Sequence, residues 1–183
     1  MSVVTVTALL IGAAQGRAEG RADGGEDPWR LCAEAIAAQE RSQRIPRRLL
    51  AAIAIAESGR WDADREVKAP WPWTVNAEGE GRFYDTKAEA VRAVDQLRAR
   101  DVRNIDVGCM QINLLHHPDA FADFDQALEP VSNVGYGARH LKALFDETHS
   151  WQEAAGRYHS ATPELSRAYR PKVVTLWNEQ RRL

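Results

Sequence analysis

Residues 45–59 read Ile-Pro-Arg-Arg-Leu-Leu-Ala-Ala-Ile-Ala-Ile-Ala-Glu-Ser-Gly, an apolar run closed by a carboxylic acid. Pro46 suits the first turn of a helix, where its missing N–H costs no intrahelical bond, and Gly59 supplies a stop, so the stretch predicts a helix over 46–58. In that helix Leu50, Ile53 and Glu57 fall at i, i+3 and i+7, which puts the carboxyl on a stripe with two core-facing aliphatics. Burial there and the partial negative charge of the helix C-terminus both disfavour ionisation. A carboxylic acid kept protonated near neutral pH is what general-acid cleavage of a glycosidic bond uses. On this helix alone the alternative stands level with it: a Glu on the rim of the stripe with its head group in water.

The chain around this helix has 183 residues, enough for one domain with a single substantial core plus terminal additions. With 44% hydrophobic residues, 27% charged residues and a formal net charge of -2, it reads as a soluble globular protein. The balance gives no basic surface for a nucleic acid. Val3 to Ala14 is apolar and runs into small residues, so residues 1–18 are expected to be an export signal, although no Lys or Arg precedes Arg17. The run is too short for a stable membrane span, which needs about 20 apolar residues. Residues 19–27, rich in Gly and charge, are expected to be a flexible lead-in, leaving 28–183 as the domain. Two cysteines, Cys32 and Cys109, are consistent with a disulfide in an exported chain. A buried free thiol at Cys32, among Leu31, Ala35 and Ile36, is the competing reading.

Asp27-Pro28 opens the first helix as N-cap and first helical residue, and that helix is expected to reach about Ser42. Trp61, Trp71 and Trp73 gather in an irregular stretch, Arg60 to Pro72, in which two prolines exclude helix. Trp73–Asn76 and Arg82–Tyr84 predict a small hairpin. Helical periodicity returns with Ala88, Val91, Val94 and Leu97, and again after Pro130 with Val134, Ala138, Leu141 and Phe145. A short helix from Trp151 to Tyr158 and a last one marked by Leu165, Tyr169, Val173 and Trp177 complete a mainly α domain of α+β type with a minor β-hairpin.

Three separated segments bear on chemistry: Glu57-Ser58-Gly59, Gly108-Cys109-Met110-Gln111-Ile112-Asn113, and Ala154-Ala155-Gly156-Arg157-Tyr158-His159-Ser160. A fourth, Asn133-Val134-Gly135-Tyr136-Gly137-Ala138, lies between the last two. In this order they resemble the soluble lytic transglycosylase domain, a lysozyme-like single-domain family that acts on peptidoglycan, over about residues 29–177. The resemblance implies Glu57 as the catalytic acid and Ser58, Met110, Gln111, Asn133, Tyr158 and His159 as residues of the substrate site, with Tyr158 orienting the acid. For Ser58 a helix-end role is equally open, for Met110 packing, and for Asn133 a local helix cap. Cys109 stands where the family usually has Leu and would let Cys32 tether the cleft segment to the first helix. His159 stands where the family has Asn.

The resemblance further implies a substrate of peptidoglycan glycan strands, no cofactor, a periplasmic location in a Gram-negative envelope, and a monomer that can serve a secretion or flagellar apparatus. No metal site is expected, because His116 and His117 cannot share a helical face and no His-Glu-x-x-His is present. A second carboxylate, which a retaining hydrolase with a protein nucleophile needs, has candidates in Asp62, Asp64 and Asp106. As loop acids these are expected to be solvated. Glu57 would then serve as both acid and base, and the product would carry a 1,6-anhydromuramyl end. The alternatives are a lysozyme-type muramidase and a non-catalytic peptidoglycan-binding assembly module. One or two of Trp61, Trp71, Trp73, Phe83 and Tyr84 are expected to stack on sugar.

Overall fold

The computed structural model describes residues 27–182. The expected export segment, and all of the lead-in except Asp27, lie outside the described residues. Asp27 caps helix α1 (Pro28–Ser42) by accepting the Trp29 amide at 3.1 Å, as its position before a proline predicts. Helix α2 spans Leu49–Ser58 and is shorter than expected, because Arg48 adopts φ 70° and breaks the chain direction after Pro46. Its N-terminus is capped from another element. The buried Glu40 carboxylate of α1 accepts the amides of Arg48 at 2.8 Å, Leu50 at 2.9 Å and Ala51 at 3.3 Å. A carboxylate meeting the unpaired N–H groups of a first turn satisfies the donors and complements the helix dipole.

Seven of the ten residues of α2 are buried, so it is a central helix rather than an amphipathic surface one. Helices α1, α5 (Pro130–Thr148), α6 (Trp151–His159) and α7 (Pro163–Gln180) surround it, and Leu49, Leu50, Ile53, Val134, Leu141 and Val173 form the heart of this core. In α7 the buried positions are Ser166, Tyr169 and Val173, while Leu165, expected on the stripe, is exposed.

The stretch after α2 is not irregular. Strands β1 (Gly59–Asp62) and β2 (Val67–Pro70) pair antiparallel, and the Asp62 carboxylate closes the turn by accepting from Asp64 N, Arg65 N and Arg65 Nη1. The expected hairpin is β3 (Thr74–Ala77) with β4 (Glu80–Phe83), joined by Glu78 and Gly79 at φ 55° and 83°. A two-residue turn with both φ positive matches the twist of the strands it joins. Strands β5 (Ile105–Val107) and β6 (Ile112–Asn113) extend this sheet in the order β4-β3-β5-β6. Helix α3 (Lys87–Ala99) starts in a Thr86–Glu89 capping box and packs Ala90 and Val94, rather than Ala88, against the sheet, with the short α4 (Phe124–Ala127) beside it. Among the described residues no helix is long and apolar enough to cross a membrane.

Candidate active site

A cleft of about 1030 Å³ opens between the helical core and the sheet, and Glu57 lines it together with Asp106, Gln111, Asn113, Tyr158 and His159. The segment connecting β5 to β6 forms the floor and is fixed from several sides. Cys32 and Cys109 form a disulfide that ties the floor to α1. Ser58 Oγ lies 2.7 Å from Cys109 O and 3.1 Å from Ala54 O, and so tethers the floor to the last turn of α2. From α5, Asn133 Oδ1 accepts the Met110 amide at 2.9 Å while Nδ2 donates to Val107 O and Ala127 O at 2.9 Å each. Gly108 sits at φ 80°, and a Cβ there would lie 2.4 Å from Asn133 Nδ2, so the turn requires glycine on both counts.

These contacts engage three of the residues expected at the substrate site in the floor itself. Ser58, Met110 and Asn133 are at most 1% exposed, so their side chains offer no surface to a glycan. Nor does Asn133 cap its helix, since it lies inside α5 and holds the floor instead. Gln111 stays at the cleft surface with its backbone at φ 46°, and its Nε2 donates to Thr74 O and Gly108 O at 3.1 Å each.

Tyr158 makes no hydrogen bond to Glu57. It donates its hydroxyl to Met110 O at 2.9 Å, and Gly137 leaves room for that hydroxyl, since a Cβ there would lie 2.9 Å from it. The tyrosine on the acid is Tyr169 of α7, expected only as a core residue, whose hydroxyl donates to Glu57 Oε1. His159 stacks on Tyr169 with ring centroids 4.3 Å apart and planes 7° apart, and places Nδ1 3.9 Å from Glu57 Oε1. Lys172, also on α7, donates to Ala56 O at 2.9 Å and so satisfies a terminal carbonyl of α2.

The Glu57 side chain retains 17% exposure, enough to face the cleft and little enough to be desolvated. Burial raises its pKa, while the Tyr169 hydrogen bond and the charges of His159 and Lys172 work against the rise and the charge of Asp106 adds to it. Tyr158 and Tyr169 are both pushed up, burial first and the Glu57 charge second, so both are neutral donors. The arrangement can hold a proton on Glu57, deliver it to a group in the cleft, and take one back.

None of Trp61, Trp71, Trp73, Phe83 and Tyr84 lines the cleft. Trp71 is buried against Trp29 and Trp73, its indole N–H on Tyr84 O at 2.7 Å, and Trp61 and Phe83 are exposed elsewhere. His116, His117 and His140 also line the cleft, with His117 Nδ1 2.9 Å from the Tyr136 hydroxyl. Among the described residues no group of three or more His, Cys, Asp or Glu side chains is placed to hold a metal ion. Tyr169 and Asn104, left without a site role by sequence reasoning, and Asp106, expected there as a solvated loop acid, carried usable signals. Tyr169 lies on an apolar stripe with a hydroxyl that needs a partner. Asn104 and Asp106 alternate with the buried Ile105 and Val107, which puts them on the opposite face of a strand.

The family model for the transglycosylase SLT domain matches residues 34–172, a span that takes in every cleft residue named above. No curated protein and no solved structure matches the chain.

Proposed function

Because the chain belongs to the transglycosylase SLT domain family, we propose that it is a peptidoglycan lytic transglycosylase that cleaves the MurNAc–GlcNAc β-1,4 bond with Glu57 as its proton donor and acceptor. The observation that carries this reading is the desolvated Glu57 carboxyl on the cleft wall, its pKa raised by burial and its orientation set by Tyr169. In the first half of the reaction Glu57 gives its proton to the leaving oxygen as the bond to the anomeric carbon breaks, the electron pair leaving with that oxygen. In the second half the muramyl 6-hydroxyl adds to the anomeric carbon and returns its proton to Glu57. No water is consumed, and the product carries a 1,6-anhydro ring. The work would take place in the periplasm, on glycan strands opened for turnover or for passage of a secretion or flagellar apparatus, with the protein as a monomer.

Digestion of purified sacculi with wild-type and Glu57→Gln protein, followed by mass spectrometry of the products, tests the reaction. Anhydro ends from the wild type and no release by the variant are expected; mainly reducing ends, heavier by the elements of water, would overturn it. Hydrolysis is the second reading, and Asp106 in the cleft is the observation that favours it. Periplasmic location is tested by fractionating cells that express the full chain, and recovery in the cytoplasm alone would refute it.

A further inference from the structure

Residues 41–48, Arg-Ser-Gln-Arg-Ile-Pro-Arg-Arg, hold four arginines and no acid in a chain whose formal net charge is -2. They join α1 to α2. Arg41, Arg44 and Arg47 are exposed and Arg48 is half-buried. Elsewhere arginines meet carboxylates, as Arg30 does with Glu34, Arg65 with Asp62 and Arg170 with Glu153; among the described residues none of these four does. Arg41, Arg47 and Arg48 rim a recess of about 500 Å³ whose apolar lining is Ala37 and Ile45. Glu40 lines it too, but its oxygens are taken by the amides of Arg48, Leu50 and Ala51. The backbone that presents the cations is anchored, because Trp177 of α7 donates its indole N–H to Arg47 O at 2.9 Å and Glu40 holds the Arg48 amide. Arg44 and Arg48 stand at φ 54° and 70°, the left-handed region in which glycine is free of strain and a side chain is not. Arg48 is also the N-cap of α2, yet its side chain makes no capping bond. Local propensity therefore does not account for arginine at either position.

We propose that this recess docks an acidic peptide segment of a partner protein, with carboxylates on the guanidinium rim and one aliphatic side chain against Ala37 and Ile45. The assignment does not depend on the reaction given to Glu57. A guanidinium offers paired N–H donors that match a carboxylate, keeps its charge at every working pH and is more weakly hydrated than an ammonium, so a rim made only of arginines suits carboxylate recognition. The shape of the site favours a peptide over a membrane. A concave recess accepts a side chain and leaves a flat bilayer without contact at its base, and no large apolar side chain is exposed within residues 37–48 to enter lipid. Because the backbone is already anchored, little of it has to be ordered when the segment binds. Arg48 and Glu57 stand at opposite ends of α2, about 14 Å of helix apart, and the recess shares no residue with the cleft. A partner seated here therefore holds the protein while the cleft stays open to its substrate.

Fluorescence anisotropy of the full chain with a fluorescein-labelled peptide, Glu-Glu-Leu-Glu-Glu, and its Gln-Gln-Leu-Gln-Gln counterpart tests the assignment. Saturable binding of the Glu peptide is expected, on the order of 10-fold tighter than that of the Gln peptide and weakening as salt rises. The double charge reversal Arg41→Glu with Arg47→Glu should abolish it while leaving release from sacculi at the wild-type rate. Arg48→Gly separates recognition from folding, since glycine suits the left-handed backbone and keeps the amide on Glu40: it should melt no lower than wild type and bind the Glu peptide several-fold more weakly. Equal binding of the two peptides, no saturable binding, or full affinity in a folded Arg48→Gly protein would each overturn the proposal. Sedimentation with phosphatidylglycerol vesicles in the absence of peptide binding would give the face to a membrane, and a dimer dispersed by the charge reversal would give it to a second copy of this chain; either result refutes the peptide. Anisotropy needs no catalysis, so failure of the transglycosylase reading on sacculi leaves this result to stand or fall by itself.

Discussion

Replacing Tyr169 by Phe removes one hydroxyl from the site and nothing else of consequence. The ring stays against His159, stacked at 4.3 Å, and remains in the core beside α2. What is lost is the hydrogen bond to Glu57 Oε1, which favours the ionised carboxylate. A hydrogen bond to a charged group contributes roughly 1.5–3 kcal/mol, and the protonated acid keeps a neutral one of about 1 kcal/mol. The difference, near 1.4 kcal/mol per unit of pKa, makes the expected rise in the Glu57 pKa about one unit. The basic limb of the pH–rate profile on sacculi should therefore move up by about one pH unit. At the optimum the rate should drop on the order of 10-fold, because the acid loses its aim at the leaving oxygen. The measurement is muropeptide release from pH 4 to pH 9, with a thermal melt to confirm that the fold is intact. A basic limb that stays in place or moves down would refute the argument that Tyr169 sets the protonation of Glu57.

Three further outcomes follow from the same geometry. Glu57→Gln should melt higher than wild type at pH 7, since the raised folded pKa means that stability falls as pH climbs from the unfolded value of 4.5 through the folded one, and an amide escapes that loss; the gain should vanish toward pH 4, and a gain equal at both pH values would contradict it. Opening the Cys32–Cys109 disulfide, which spans 77 residues, should lower stability by about 4 kcal/mol in the chain-entropy account, read by denaturant melts of the double serine variant, and an unchanged midpoint would show the floor to be held without it. Asn133→Ala strips partners from the buried Met110 amide and Val107 carbonyl and should cost about 3 kcal/mol while also lowering activity; full activity in a cooperatively folded variant would detach the floor from the site.

How much of this was legible in the sequence depended on whether the deciding contact was local. The Asp27 cap, the Pro130 start and the apolar stripe of α5 are written in neighbouring residues, and the structure has them where periodicity put them. The transglycosylase family was legible for a similar reason: its motifs are short segments in a fixed order, and the family model confirms the match. The start of α2 was misread because its cap comes from Glu40, ten residues before the Leu50 amide it holds. A Glu at the end of one helix gives no sign that its carboxylate turns inward onto the next. Tyr158 was chosen over Tyr169 for the same cause. Both are aromatic residues on late helices, and only the packing of α7 on α2 decides which hydroxyl meets Glu57 across 112 residues. The β1–β2 hairpin escaped notice because Pro70 and Pro72 were read against helix and never as the end of a strand, where Pro70 in fact closes β2.

The placement of Glu57 is settled by contacts that a glycan never reaches. Helix α2 is held at its N-terminus by Glu40, at its C-terminus by Lys172 on Ala56 O, and at Ser58 by the carbonyl of Cys109, itself bonded to Cys32. Each restraint comes from a different element, so no single neighbouring helix can carry the carboxyl out of line. A desolvated acid demands this, because its raised pKa exists only while water is kept away, and its orientation holds only while the Tyr169 hydroxyl stays on Oε1. A helix free to slide by even a fraction of a turn would rehydrate the carboxyl and return it to the ordinary range, leaving it ionised and without a proton to give. The buried polar groups on Ser58, Asn133 and Glu40 are therefore part of how the site keeps its acid, although none of them faces the cleft.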